Sequence, residues 1–210
     1  NAINIQMISE LEFLCSSLEE NDEQVGVVVF TGKGGNFSAG DDVAELDAEN
    51  LTAMEDLSLR RGNLYRRITG LPQVTVAALE GLAVGGGMVF ASACDIRLGT
   101  YDLRCGLPEV KLGWPPNYGW QILQKTLGRS KLLDLSLTGE FMDSNAAKSM
   151  GWLRNVVPSS QLIPKSSEIA ERILNQPEEA IKAIKTLNRI YDNGVDRQAG
   201  QQFIKCLERG

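Results

Sequence analysis

The chain has 210 residues, 43% apolar and 23% charged, which is enough for one domain with a substantial core and disfavours disorder. Its net charge of -6 disfavours a general nucleic-acid binder, and no apolar run approaches the roughly 20 residues that a membrane-spanning helix needs. The chain has no histidine, so Ser–His and Cys–His pairs are excluded and a zinc site is disfavoured. A carboxylate or the backbone must therefore carry any chemistry.

The four cysteines lack CxxC spacing, which is typical of reduced, buried thiols in an intracellular protein: Cys15, Cys94, Cys105 and Cys206. The sequence begins at Asn1 without an initiator Met, so we expect an upstream segment to be missing or cleaved. We predict a cytoplasmic protein, or an organelle-matrix protein if a targeting segment was removed.

Strands and helices alternate through the first half of the chain. Apolar residues at helical spacing predict a helix ending near Asn21, and a short β-branched run predicts a buried strand at 25–30. A charged, solvent-facing helix is expected at 51–68. Further strands are predicted at 74–79 and 95–99.

The second half is mainly helical. The expected elements are helices at 121–127, 130–137 and 144–150, a strand at 155–157, and helices at 168–174 and 178–191. Alternating strands and helices followed by a helical tail predict an α/β fold with parallel pairing. We divide it into a core, residues 1–157, and a helical C-terminal region, residues 158–210.

The segment GLAVGGGMV at 81–89 follows a predicted strand and leads into a predicted helix. Consecutive glycines let a ligand approach the backbone, and the N–H groups at a helix N-terminus are unpaired and partly positive. Such a turn suits an anion or an oxygen that becomes anionic during a reaction. The alternative is a close packing point between helix and strand.

A second turn, NFSAGDDV at 36–43, follows the predicted strand at 25–30. Parallel neighbours place the turns after them at the same sheet edge, so both turns could donate to one oxygen. Neither turn matches a nucleotide-binding pattern. Convergent N–H donors without histidine indicate stabilisation of an enolate or a tetrahedral oxyanion.

Glu109 lies between apolar residues in GLPEVKLG at 106–113. Burial would raise the pKa of its carboxyl group and make it a competent general base near neutral pH. The alternative is a surface glutamate in a Pro-Glu turn.

Together these motifs resemble the enoyl-CoA hydratase/isomerase, or crotonase, superfamily over nearly the whole chain. The matching segments are NAI at 1–3, FSAGDD at 37–42, GLAVGGG at 81–87, ACDIR at 93–97, LPEVKLG at 107–113 and LTGE at 137–140. The family begins earlier and continues further, so the chain looks truncated at both ends. The resemblance implies a crotonase-like ββα spiral with a helical C-terminal trimerisation region, in a homotrimer or a dimer of trimers.

The resemblance also implies an acyl-CoA thioester substrate, with no cofactor other than the coenzyme A that the substrate carries and no metal. The N–H groups of Asp41 and Gly86 would stabilise the thioester oxygen, although a small or apolar residue is more usual at position 41. The loop containing Ser38, Ala39, Asp42 and Val43 would bind the adenine of CoA.

Family hydratases use two glutamates; Glu109 corresponds to the second and Val89 to the first. A single glutamate resembles the monofunctional Δ3,Δ2-enoyl-CoA isomerases, so we expect a 3-enoyl-CoA double bond to move to the 2-position with Glu109 as base. The candidate pocket walls, each of which could instead be core packing, are Val89, Leu112, Trp114 and Pro116.

Other functions are also compatible with the sequence. A hydratase, hydrolase or decarboxylase could use a second group, for which Lys111, Asn117 and Tyr118 are candidates, although surface or turn roles are expected for each. A CoA-binding pseudoenzyme is a further alternative, whereas the acidic charge argues against RNA binding. The basic cluster at 60–61 and 66–67 predicts a solvated helix face or, alternatively, a contact with CoA phosphates.

Overall fold

A four-stranded parallel sheet lies at the centre of the computed structural model, which describes residues 1–21, 24–45, 49–187 and 201. Its strands, in spatial order, are β2 (Val27–Thr31), β4 (Val74–Leu79), β6 (Ile96–Thr100) and β9 (Asn155–Val157). Val29 pairs with Val76, which in turn pairs with Ile96. The predicted parallel α/β arrangement is confirmed.

Two smaller sheets carry the chain away from this centre. One pairs β1 (Ala2–Ile3) with β3 (Gly40–Asp41) in parallel. The other contains β5 (Leu82–Val84), β7 (Arg104–Gly106) and β8 (Phe141–Asp143), with a parallel and an antiparallel pairing. A parallel bridge between Ser38 and Ala83 joins the two glycine turns.

Seven α-helices are described: α1 (Ile5–Glu20), α2 (Leu51–Thr69), α3 (Gly86–Ala93), α4 (Trp120–Thr138), α5 (Ser144–Ser149), α6 (Ser159–Leu174) and α7 (Glu178–Leu187). Short 3₁₀ helices cover Val43–Glu45 and Pro108–Leu112. Gly128 has a φ of 73° and interrupts α4, so the two predicted helices form its halves. The predicted helix at 178–191 is described as far as Leu187; its remainder and Cys206 lie outside the described residues.

Both faces of the central sheet are covered. Val76 and Ala78 of β4 pack with Leu162 and Ile169 of α6 in one apolar cluster. Ala77, on the opposite face of β4, belongs to the main core with residues of α2 and α3. Every residue of β4 is consequently buried, as a parallel strand between two helical layers requires.

Two predictions about exposure are wrong. The strand predicted at 25–30 is not buried, because β2 is an edge strand and Val29 remains 36% exposed. The helix at 51–68 forms as predicted, but it is not simply solvent-facing, because one of its faces enters the core through residues such as Leu64 and Tyr65. The three described cysteines are free and buried, and burial raises the pKa of the Cys15 thiol to about 11.

Candidate active site

The two glycine turns and the segment containing Glu109 enclose one cavity of about 90 Å³. Its walls come from β3, from the turn between β5 and α3, and from the segment at 108–117. The lining residues are Ala39, Gly40, Asp41, Val43, Val84, Gly85, Gly86, Pro108, Glu109, Leu112, Trp114 and Asn117. The structure therefore brings together most of the site residues predicted from separate parts of the sequence.

Glycines allow β3 to approach the start of α3 closely. A Cβ atom on Gly40, which has a φ of 95°, would lie 2.8 Å from the carbonyl oxygen of Val84 and 3.4 Å from the nitrogen of Gly86. A Cβ atom on Gly86 would lie 2.6 Å from Oδ1 of Asp41. Gly86 is the first residue of α3, so its N–H group has no partner within the helix. The contact thus places an unpaired helix N–H beside Asp41.

Glu109 enters the cavity from the 3₁₀ helix Pro108–Leu112. Its Oε1 lies 3.2 Å from where a Cβ of Gly85 would stand, and its buried Oε2 has no hydrogen-bond partner among the described residues. Burial raises the pKa of this carboxyl group to about 7, and the charge of Asp41 contributes in the same direction. A half-buried carboxylate with a free oxygen and a pKa near neutrality can accept and return a proton.

Asp41 is held quite differently. The hydroxyl of Tyr118 donates to its Oδ1 at 2.5 Å, and a guanidinium nitrogen of Arg61 lies 3.3 Å from its Oδ2. Burial raises the pKa of Asp41, whereas Arg61 and the Tyr118 hydrogen bond act in the opposite direction. Tyr118 is only 2% exposed, so the expected surface role is wrong for it, although it does lie in a bend before α4.

Four predicted site residues do not line this cavity. The Ser38 hydroxyl donates to the Asn1 carbonyl at 2.8 Å, and the Asp42 carboxylate accepts from the Ala44 N–H at 3.0 Å. Val89 is 2% exposed and packs against Gly119, and Pro116 is buried. The binding roles of Ser38, Asp42, Val89 and Pro116 stay predictions.

The three candidates for a second catalytic group have different surroundings. Asn117 lines the cavity, and its amide donates to the Ser58 hydroxyl at 2.7 Å. Lys111 is exposed, with its ammonium group 5.8 Å from the centroid of the Phe141 ring. Tyr118 does not line the cavity, but it donates to Asp41 and lies against Gly86.

The arginine cluster is neither a uniformly solvated face nor a free set of phosphate ligands. Arg60 binds both carboxylate oxygens of Glu12 at 2.8 and 2.6 Å, and Arg67 binds Glu19 in the same way at 2.8 and 2.6 Å. These pairs join α2 to α1. Arg61 is 1% exposed. The sequence pattern did not distinguish Arg61 from its neighbours, although it is the one that reaches the cavity wall.

Among the residues that the structure describes, neither a membrane-spanning helix nor a metal-binding group of side chains is found. None of the helices described is both long enough and apolar enough to cross a membrane. In the same part of the chain, no group of three or more cysteine, aspartate or glutamate side chains is arranged to hold a metal ion.

A sequence profile described as enoyl-CoA hydratase/isomerase matches residues 1–205. The chain is 32% identical over 199 residues to the short-chain-enoyl-CoA hydratase of Clostridium acetobutylicum, covering 93% of this chain and 76% of that protein. It is also 32% identical to a probable enoyl-CoA hydratase of Bacillus subtilis, covering 100% of this chain and 81% of that protein. An enoyl-CoA hydratase crystal structure from Bacillus anthracis matches with a TM-score of 0.82 and 27% identity, over 100% of this chain and 83% of that one. The predicted crotonase-like spiral with C-terminal helices is confirmed, whereas the named relatives are hydratases rather than isomerases.

Proposed function

Since the chain belongs to the enoyl-CoA hydratase/isomerase family, we propose that it moves the double bond of a 3-enoyl-CoA to the 2-position. The observation that carries this proposal is the state of Glu109: its buried Oε2 has no hydrogen-bond partner within the described ranges, and its pKa is raised to about 7. One carboxylate that can both accept and donate a proton is sufficient for a double-bond shift.

In the proposed reaction, Glu109 removes a proton from C2 of the substrate. The electrons of the C2–H bond form a dienolate, whose oxygen accepts hydrogen bonds from the N–H groups of Asp41 and Gly86. Glu109 then returns the same proton at C4, which leaves the double bond between C2 and C3. No atom is gained or lost, and the N–H donors stabilise the charge where it develops.

The surroundings of Val89 favour isomerisation over hydration. Hydration by the family's two-glutamate mechanism needs a second free acid at this position, but Val89 is an apolar residue packed against Gly119 outside the cavity. The other carboxylate in the cavity wall, Asp41, is bound by Tyr118 and Arg61. The apolar side chains of Val84, Leu112 and Trp114 also disfavour an ordered water.

Hydration of a 2-enoyl-CoA is the second candidate, because the relatives described above are named as hydratases. The test is to incubate the protein separately with 3-hexenoyl-CoA and 2-hexenoyl-CoA and to analyse the products by chromatography and mass spectrometry. A shifted double bond at unchanged mass supports the isomerase. A gain of one water from the 2-enoyl substrate overturns it in favour of the hydratase, and no change in either thioester favours a hydrolase, a decarboxylase or a CoA-binding pseudoenzyme.

The proposal extends to a homotrimer or a dimer of trimers. Four apolar side chains, two in the 3₁₀ helix Pro108–Leu112 and two at 137 and 141, are exposed by 40% or more: Val110, Leu112, Leu137 and Phe141. A surface of this kind is typical of an interface between subunits. Light scattering coupled to size-exclusion chromatography measures the mass directly, and a monomer at all concentrations contradicts the proposal.

A further inference from the structure

Next to the proposed proton acceptor stands a second carboxylate that the proposed reaction does not use. We propose that Asp41 is a positioning residue whose negative charge, fixed by Arg61 and Tyr118, keeps Glu109 a strong proton acceptor. The inference rests on the proposed function for its catalytic meaning, because there the backbone of Asp41 serves the oxyanion and the side chain has no role.

Contacts from two parts of the chain fix the Asp41 carboxylate. Tyr118, immediately before α4, donates to Oδ1 at 2.5 Å, and Arg61, from α2, lies 3.3 Å from Oδ2. The glycine at position 86 leaves room for Oδ1, because a Cβ atom there would lie 2.6 Å from this oxygen. Arg61 is itself 1% exposed, so water does not screen this pair. The charge is therefore held in one place.

The positive charge of Arg61 does not fully neutralise the carboxylates around it. Its second terminal nitrogen lies 3.9 Å from Oε2 of Glu45, whose carboxylate also accepts the Ile5 N–H at 2.9 and 3.1 Å. One buried cation is thus shared between two carboxylates, Asp41 and Glu45. A residual negative charge beside a cavity disfavours a further negative charge within it.

Asp41 and Glu109 line the same cavity, and each lies against one of the two glycines at 85 and 86. From this position the charge of Asp41 adds to the effect of burial and raises the pKa of Glu109. Lys111, on the same 3₁₀ helix, is exposed and lies over the Phe141 ring. The adjacent aromatic hydroxyls, Tyr65 and Tyr118, are neutral because burial raises the pKa of both.

The test is a carboxylate titration that does not depend on turnover. Protein labelled with ¹³C-glutamate is titrated by NMR, and the Glu109 Cδ resonance is identified as the one missing from Glu109→Gln. Asp41→Asn removes the charge while keeping the size and the acceptor for Tyr118. We expect the pKa of Glu109 to fall by roughly half a unit or more, and the acid limb of kcat/KM to move with it. An unchanged Glu109 titration in the folded variant overturns the proposal.

Two further variants serve as a control and as a fallback for this test. Asp134→Asn makes the same charge change on the exposed surface of α4, where Asp134 pairs with Lys131, and should leave Glu109 unaffected. If Asp41→Asn does not fold, the double variant Asp41→Asn/Arg61→Gln leaves no buried charge without a partner. It should still lower the pKa of Glu109, by less than the single variant, because Asp41 lines the cavity and Arg61 does not; an unchanged value again overturns the proposal. If the wild type converts neither hexenoyl-CoA, the proposed function fails while the NMR titration still decides this inference.

Discussion

Two carboxylates, Glu109 and Asp41, line one cavity, but they differ in their hydrogen-bond and ion-pair partners. Glu109 is half-buried, and its Oε2 has no hydrogen-bond partner in the part of the chain that the structure describes, whereas half-buried Asp41 has both oxygens engaged by Tyr118 and Arg61. Burial raises the pKa of each group; two side chains, Tyr118 and Arg61, oppose the rise at Asp41, whereas at Glu109 a backbone hydrogen bond opposes it. A carboxylate can take a proton from a substrate only through a free oxygen. The comparison therefore separates the group that can react from the group that can act only through its charge.

The largest effect expected is on turnover when the free carboxylate is removed. Glu109→Gln keeps the shape but cannot accept a proton, so kcat should fall by about 10³–10⁴-fold. Binding of a CoA thioester, measured by calorimetry, should persist because the N–H donors are untouched. Retention of the wild-type rate would move the reactive role to another residue.

Loss of the ion pair between Arg61 and Asp41 should lower the stability of the folded protein. Arg61→Met leaves Asp41 buried without its cation, and we expect the free energy of unfolding to fall by about 3–5 kcal/mol in urea titrations. Arg60→Met is the matched control: Arg60 pairs with Glu12 at the surface, so its loss should cost about 1 kcal/mol or less. Equal losses from the two variants would show that Asp41 does not depend on Arg61.

The close contact at the start of α3 can be tested at Gly86. In Gly86→Ala the new Cβ would overlap the hydroxyl of Tyr118 and lie 2.6 Å from Oδ1 of Asp41, so both side chains must shift. Displacement of one oxyanion donor should lower kcat by about 10²-fold in steady-state assays. Gly70→Ala is the control, because a Cβ at that position meets its nearest neighbours at 3.4 Å. Full activity in Gly86→Ala would separate this contact from catalysis.

The smallest effect expected is a pH-dependent gain in stability for Glu109→Gln. The folded-state pKa of Glu109 is raised from 4.5 to about 7. The wild type therefore loses stability as the pH rises through this window, because the folded protein resists losing the proton. At pH 8 the variant should be more stable by about 1–3 kcal/mol, and the difference should disappear near pH 4. A difference that is constant with pH in urea titrations would mean that Glu109 titrates normally.

Local sequence patterns were sufficient to locate the glycine turns, whereas the position of Glu109 beside them was expected from the family resemblance. The strand at 74–79, the short strand β5 and helix α3 follow one another within 20 residues of chain, with the glycines at 85 and 86 between β5 and α3, so their geometry is set by neighbours in the chain. Parallel pairing of β2 with β4 then brings the second turn to the same edge. The coarse site follows from these short-range rules.

The state of Asp41 could not be predicted in this way. Its partners stand at positions 61 and 118, and no spacing rule connects them to position 41. The adjacent arginines illustrate the same limit, because Arg60 and Arg61 differ only in which face of α2 they occupy. Strands β1 and β3 have two residues each, too few for any periodicity to appear.

The order of strands in the central sheet has a consequence for synthesis of the chain on the ribosome. Strand β6 pairs with β9, so the pairing of Leu98 with Asn155 cannot form until Asn155 has been synthesised. Helix α6, which covers one face of β4 and β6, is translated later still. Contacts between residues this far apart in sequence slow folding. The glycine turns and Glu109 therefore emerge well before the sheet behind them is finished, and the nascent chain exposes an uncovered parallel sheet that chaperones can bind.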